Sequence, residues 1–213
     1  MRFNPTAFNR LLANMGQQIL WRPAYACSCV NPDSGAPDPK CKLCKKKGRI
    51  WGDQSQTVCG LTKQDTQAEW AASGMWEAGD LVVTIPENSP MWESGQFDRI
   101  TLLNATDRFS QPLTRGAPTD NLSLFAVKSI DRVFWKNAQT QALVEGGIPK
   151  VDADGNLTWT DREPPIGVTY SITGWKHGEY FVWGDFPSSR NMHSGMRLPK
   201  RIVLRRWELL GRG

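Results

Sequence analysis

The sequence predicts a mainly β protein, a β-sandwich or barrel carrying an N-terminal helix and a small cysteine knuckle. Three observations predict it. From about Arg49 onward, short β-branched and apolar runs recur with Gly and Pro between them. Helical periodicity shows clearly in one stretch only, at the N-terminus. Between the two lie four cysteines, Cys27, Cys29, Cys41 and Cys44.

Asn4-Pro5-Thr6 reads as a helix start, with a capping residue and a proline suited to the first turn. Phe8, Leu11, Leu12 and Met15 follow at i, i+3, i+4 and i+7, one apolar stripe, and Gly16 ends it. Ile19, Trp21 and Ala24 lead past Pro23 into the cysteines. Residues 1–52 are thus read as helix plus knuckle, and 53–213 as a β-rich domain with long loops. Its strands are expected at 56–61, 81–85 (LVVTI, between Gly79-Asp80 and Pro86), 99–103 and 123–135. Asp152-Ala-Asp-Gly155 signals a turn before 157–160. Runs 168–173 and 180–183 flank an expected turn at 174–178, making a hairpin, and 201–207 is the last strand. Residues 106–121 are polar and rich in turn formers, so a long exposed loop is expected there. Residues 137–154 read as another loop or a protruding hairpin.

The 213 residues have a mean hydropathy of −0.46, which suits a soluble globular chain. No run approaches the roughly 20 apolar residues of a membrane span, and the first ten residues lack a signal peptide's apolar core. A cytosolic site of synthesis is therefore expected, where cysteines serve as metal ligands more readily than as disulfides. Ten tryptophans exceed what one core needs and favour an assembly over a free monomer. The net charge of +5 is uneven. Lys40, Lys42, Lys45, Lys46, Lys47 and Arg49 form one basic segment. Arg197, Lys200, Arg201, Arg205 and Arg206 dominate a second, near the C-terminus. Both are candidates for contact with nucleic acid or an acidic neighbour, against the plainer reading of solvated charge.

The cysteine pattern is Cys27-Ser-Cys29, eleven residues, then Cys41-Lys-Leu-Cys44. Four thiolates suit the closed tetrahedral shell of a structural zinc. The intervening segment contains Pro32, Gly35, Pro37 and Pro39 and cannot pack a core, so a metal would supply its order. Gly48 stands where a knuckle turns sharply, and the surrounding lysines favour thiolates. Two disulfides or four unrelated thiols are the alternatives; an iron–sulfur cluster fits poorly with so short and basic a loop. Cys59 falls in a strand-like run and reads as a small buried hydrophobe.

Catalysis is not expected. A catalytic zinc keeps a position open for water, whereas four thiolates close the shell. A deaminase-type site fails because no glutamate precedes Glu69. His177 and His193, the only histidines, are read as exposed loop residues. No phosphate loop, dinucleotide fingerprint or nucleophile elbow occurs. Asp152, Asp154 and Asn156 resemble the start of a calcium loop without its distal glutamate.

The layout resembles neck-region virion proteins of tailed bacteriophages, which stand between portal and tail as connector, head-completion or collar subunits. The residues that carry the resemblance begin with the N-terminal helix and the knuckle, Cys27-Ser-Cys29, Pro37-Asp38, Cys41-Lys-Leu-Cys44 and Gly48-Arg-Ile-Trp51. Gly167-Val-Thr-Tyr170-Ser, Tyr180-Phe-Val and Leu198-Pro199 complete it. Lys45-Lys46-Lys47 departs from the G-x-G-like turn more usual after the second cysteine pair. The resemblance implies a non-enzymatic structural protein with one structural zinc, assembled in the host bacterial cytoplasm and located in the virion. It implies a homo-oligomeric ring around the DNA channel that extends or seals the portal and docks the tail. Its partners would be portal or adjacent connector proteins, tail proteins and packaged DNA, with no membrane. Phe8, Leu11 and Leu12 are further candidate contacts. A baseplate or tail adaptor of the same virion, or a zinc-knuckle nucleic-acid-binding module, is the alternative.

Overall fold

A computed structural model describes residues 5–62, 64–186, 192–193 and 195–210. The chain is mainly β, with a large antiparallel sheet, a short N-terminal helix and the four cysteines clustered. It divides into two compact units, 1–104 with 179–213, and 105–178. The N-terminal piece read at 1–52 lies within the first unit.

In chain order the elements are α1 (Pro5–Met15), β1 (Gln17–Arg22), β2 (Ala24–Ala26), β3 (Arg49–Trp51) and β4 (Ser55–Leu61). There follow α2 (Gln64–Ala72), β5 (Leu81–Ile85), β6 (Arg99–Thr114), β7 (Ala126–Lys136) and β8 (Leu143–Glu145). The last are β9 (Lys150–Val151), β10 (Leu157–Thr158), β11 (Thr169–Asp185), β12 (Met192–His193), β13 (Met196–Arg197) and β14 (Lys200–Arg206).

The first unit is a closed barrel. β14 pairs with β5, β5 with β4, β4 with β1, and β1 with the start of β6. β6 pairs with β11, and the end of β11 pairs back onto β14. Every strand of this six-membered ring sends apolar side chains inward. Ile19, Cys59, Val83, Ile85, Ile100, Leu102, Val182, Ile202 and Leu204 form one buried cluster. Met91, from a short turn of helix between β5 and β6, joins it. The alternation expected of strands then places Val82 and Val203 outward, where Trp70 of α2 and Phe186 cover them. Helix α1 seats Leu12 against Gly60, where any Cβ would meet Leu12 Cδ2 at 2.6 Å. Leu11 and Met15, from the same predicted stripe, remain exposed.

The second unit is an open sheet of the remainder of β6 and β11 with β7 and β8. Its covered face holds Phe109, Leu113, Val133, Tyr170 and Ile172, packed against Leu122, the β9–β10 hairpin and Trp159. The Asp152–Gly155 turn joins β9 to β10 as expected. Residues 137–142 form the turn of a β7–β8 hairpin, with Asn137 Oδ1 accepting from the Gln139 and Thr140 N–H groups.

Three expectations are corrected. The loop at 106–121 is strand as far as Thr114, because Phe109 and Leu113 point into the core while Ser110 and Pro112 between them face water. A strand with one wet face reads as polar. The hairpin at 168–183 is one continuous strand, β11, with His177 inside it and not on a loop. Gly174 serves close approach, not a turn: a Cβ there would stand 2.1 Å from Ser129 O, at one of two register shifts against β7. Finally, α2 forms where no helical stripe is visible, since Trp70 alone of its described side chains is fully buried.

Gly174→Val is therefore expected to cost about 3 kcal/mol, the upper end for overpacking, as read by urea denaturation. Gly184→Ala, in the same strand with open space at its Cβ, should stay within about 0.5 kcal/mol.

Candidate metal centre

The knuckle grows out of a short ladder. β2 and β3 pair antiparallel, with Ala24 opposite Trp51 and Ala26 opposite Arg49, and Cys27 N–H donates to Gly48 O at 2.9 Å. The base of this ladder is tied to the barrel by Asp98. Its buried carboxylate accepts from Trp21 Nε1 and from Ala24 N, both at 2.7 Å. Beyond Cys29 the chain makes a turn closed by Asn31, and Val30 bridges to Pro37. Asp38 then starts the second cysteine pair, accepting from Cys41 N and, through its side chain, from Lys40 N. After Cys44 the chain reverses in left-handed backbone at Lys45, Lys46 and Gly48, with φ of 49°, 70° and 70°. Two lysines thus occupy the conformation that glycine adopts more cheaply.

These turns bring the four sulfur atoms together, all within 4.8 Å of one another. Cys27 and Cys41 lie 3.8 Å apart and Cys29 and Cys44 3.5 Å, non-bonded distances and not disulfides. A tetrahedron with metal–sulfur bonds of about 2.3 Å has sulfur–sulfur edges of about 3.8 Å. The cluster fits a metal ion. Burial works against ionising Cys44, yet the Gly48 N–H, 3.3 Å from its sulfur, and the other thiols outweigh it and bring it down to about 7. Burial and the shared protons push Cys29 up to about 12 against a bond from the Asp38 backbone. A bound cation would favour the thiolate form of all four ligands. Cys59 is inside the barrel, its thiol pushed up to about 12 by burial, and is not part of the group.

The basic candidates divide by position. Lys47 lies 5.7 Å over the Trp51 ring and 5.4 Å over Trp207, and Arg49 lies 3.5 Å over Phe97, so both dock the knuckle onto the barrel. Desolvation, with Arg99 next, lowers the Lys47 pKa. Lys40, Lys42, Lys45 and Lys46 are exposed on the outer side of the knuckle with Leu43. In the C-terminal segment Lys200 is buried and paired with Asp185 at 2.9 Å. Arg205 is buried in a two-pronged pair with Asp80, at 3.1 and 2.9 Å, and also donates to Met75 O. These two are structural. Arg197 pairs with Glu93 over the Trp92 ring, Arg206 pairs with Glu208, and Arg201 is exposed. The sequence reading missed the aromatic seat beneath the knuckle; Trp51 following Gly48-Arg-Ile was its one visible sign. Asp152, suggestive of a calcium loop, accepts from Asp154 N and Asn156 N of its own turn. The side chains of Phe8 and His193 lie outside the described residues.

No family model matches the chain, and no curated protein matches it. Among the described residues, no helix is long and apolar enough to cross a membrane.

Replacing any one of Cys27, Cys29, Cys41 or Cys44 by Ser should abolish stoichiometric metal binding in a competition titration, while Cys59→Ser retains it. Arg205→Ala strands the buried Asp80 carboxylate and should cost about 3–5 kcal/mol in thermal or urea unfolding. Lys42→Ala should leave the unfolding transition where it is.

Proposed function

We propose that the chain binds one structural zinc ion through Cys27, Cys29, Cys41 and Cys44 and serves as a ring-forming neck subunit of a tailed-bacteriophage virion. When bound, the metal supplies order to a segment that has almost no apolar core of its own. The protein's residues do the rest. Asp98 fixes the ladder, Gly48 caps a sulfur, and Trp51, Lys47 and Arg49 hold the knuckle to the barrel as a rigid projection.

One observation carries the assembly reading. Of ten tryptophans only Trp70 and Trp207 are buried, while Trp76 and Trp175 are exposed and the rest half-buried. Leu11, Met15, Leu61 and Ile166 are exposed as well. Such a surface suits a subunit that buries more area on joining its neighbours. A ring of identical subunits, each offering one face to the next, provides that burial.

Native mass spectrometry of the purified protein, with negative-stain imaging, tests both halves. The expected result is one zinc per chain and a ring-sized species with a central hole, alone or seated on purified portal rings. A metal-free chain that stays monomeric under both conditions would sink the reading. Salt-sensitive DNA binding by a zinc-loaded monomer would replace it with the nucleic-acid module, which the exposed Lys40, Lys42 and Lys46 favour.

A further inference from the structure

The first unit carries two exposed surfaces of opposite character. The outer knuckle presents Leu43, 67% exposed, among Lys40, Lys42, Lys45 and Lys46, with no acidic residue between Lys40 and Arg49. The other surface is α2 and the segment that follows it. From Gln64 to Asp80 there are four acidic residues and no basic one. Asp80 is taken up by Arg205, which leaves Asp65, Glu69 and Glu77 exposed and without an ion pair among the described residues. Beside them Met75 and Trp76 are 49% and 46% exposed. α2 turns Trp70 and the half-buried Gln67, which bonds the Val82 backbone, toward the barrel, and residues 71–78 are exposed throughout.

An apolar anchor ringed by ammonium groups matches an apolar patch rimmed by carboxylates. Leu43 offers nothing to a phosphate backbone, and the α2 surface would repel one, so the pair of surfaces points to protein. Both are present on this chain, so a second copy supplies what each lacks. We propose that the knuckle tip of one subunit docks onto the α2 surface of the next, Leu43 against Met75 and Trp76, with Lys40 and Lys42 facing Glu69 and Glu77. The two surfaces differ, so the contact is head-to-tail and propagates around a ring when its rotation closes. This inference rests on the ring reading and assigns its interface.

The test is sedimentation velocity on the zinc-loaded full chain at low and high salt, with zinc content and circular dichroism measured for each variant. Wild-type association should weaken as salt rises. Lys40→Glu with Lys42→Glu, and separately Glu69→Lys with Glu77→Lys, should each weaken it by ~10-fold or more. Mixing the two doubly reversed proteins should restore association to within about threefold of wild type, because each now presents the other's complement. Reversed variants that associate like wild type, or a mixture no tighter than either alone, overturn this interface and leave the ring standing. A wild-type chain that stays monomeric, alone and on portal rings, overturns the ring and the interface together.

Discussion

The structure depends on the return of β14. This strand, from the far end of the chain, enters between β5 and the end of β11 and completes the six-stranded ring. Without it two strands would stand as open edges with unpaired backbone groups. Its alternation serves both sides of the wall. Ile202 and Leu204 enter the barrel, while Val203 and Arg205 face outward beneath α2 and Trp183. The Arg205–Asp80 pair ties this outer layer to the strand, and Trp70 Nε1 donates to the same carboxylate at 3.0 Å. A charge so placed must keep its partner, since burying it alone costs more than the pair gains.

Closure also positions the knuckle. Directly after β14 comes Trp207, whose ring meets Trp51 edge-on with centroids 5.0 Å apart and receives Lys47 and Arg99 on its face. Arg99 is held from the other side by Glu179, to which its Nε donates at 2.8 Å. Residues from four separate parts of the chain thus make one seat, and the cysteine segment stands on it. The cations nearest the barrel, Lys47 and Arg49, act as packing residues there. Those farther out keep their charge toward solvent, which gives the tip its positive character.

The cluster, its spacing and the burial of Cys59 were legible in sequence because they are local. Four sulfurs within one short segment meet through the turns that Gly48 and the Asp38 cap allow. Leu81–Ile85 was legible for the same reason, a β-branched run between turn residues. The 106–121 segment was misread because a strand with one wet face looks like a loop. Gly174 was misread because glycine marks a turn and a close backbone approach alike. Helix α2 left no stripe, since one tryptophan and the polar Gln67, bonded to the Val82 backbone, anchor it.

By itself the sequence determined the mainly β class, the N-terminal helix, the set of four cysteines that cluster and the basic character of the knuckle. All of these follow from neighbours along the chain: periodicity, caps, spacing and local charge. Only the tertiary structure decided that the strands close into a ring. It also decided that Lys200 and Arg205 are structural while Lys40 and Lys42 face outward. Pairing, burial and charge engagement depend on residues far apart in the chain, 125 positions for Arg205 and Asp80, and no local pattern encodes who meets whom across such a distance.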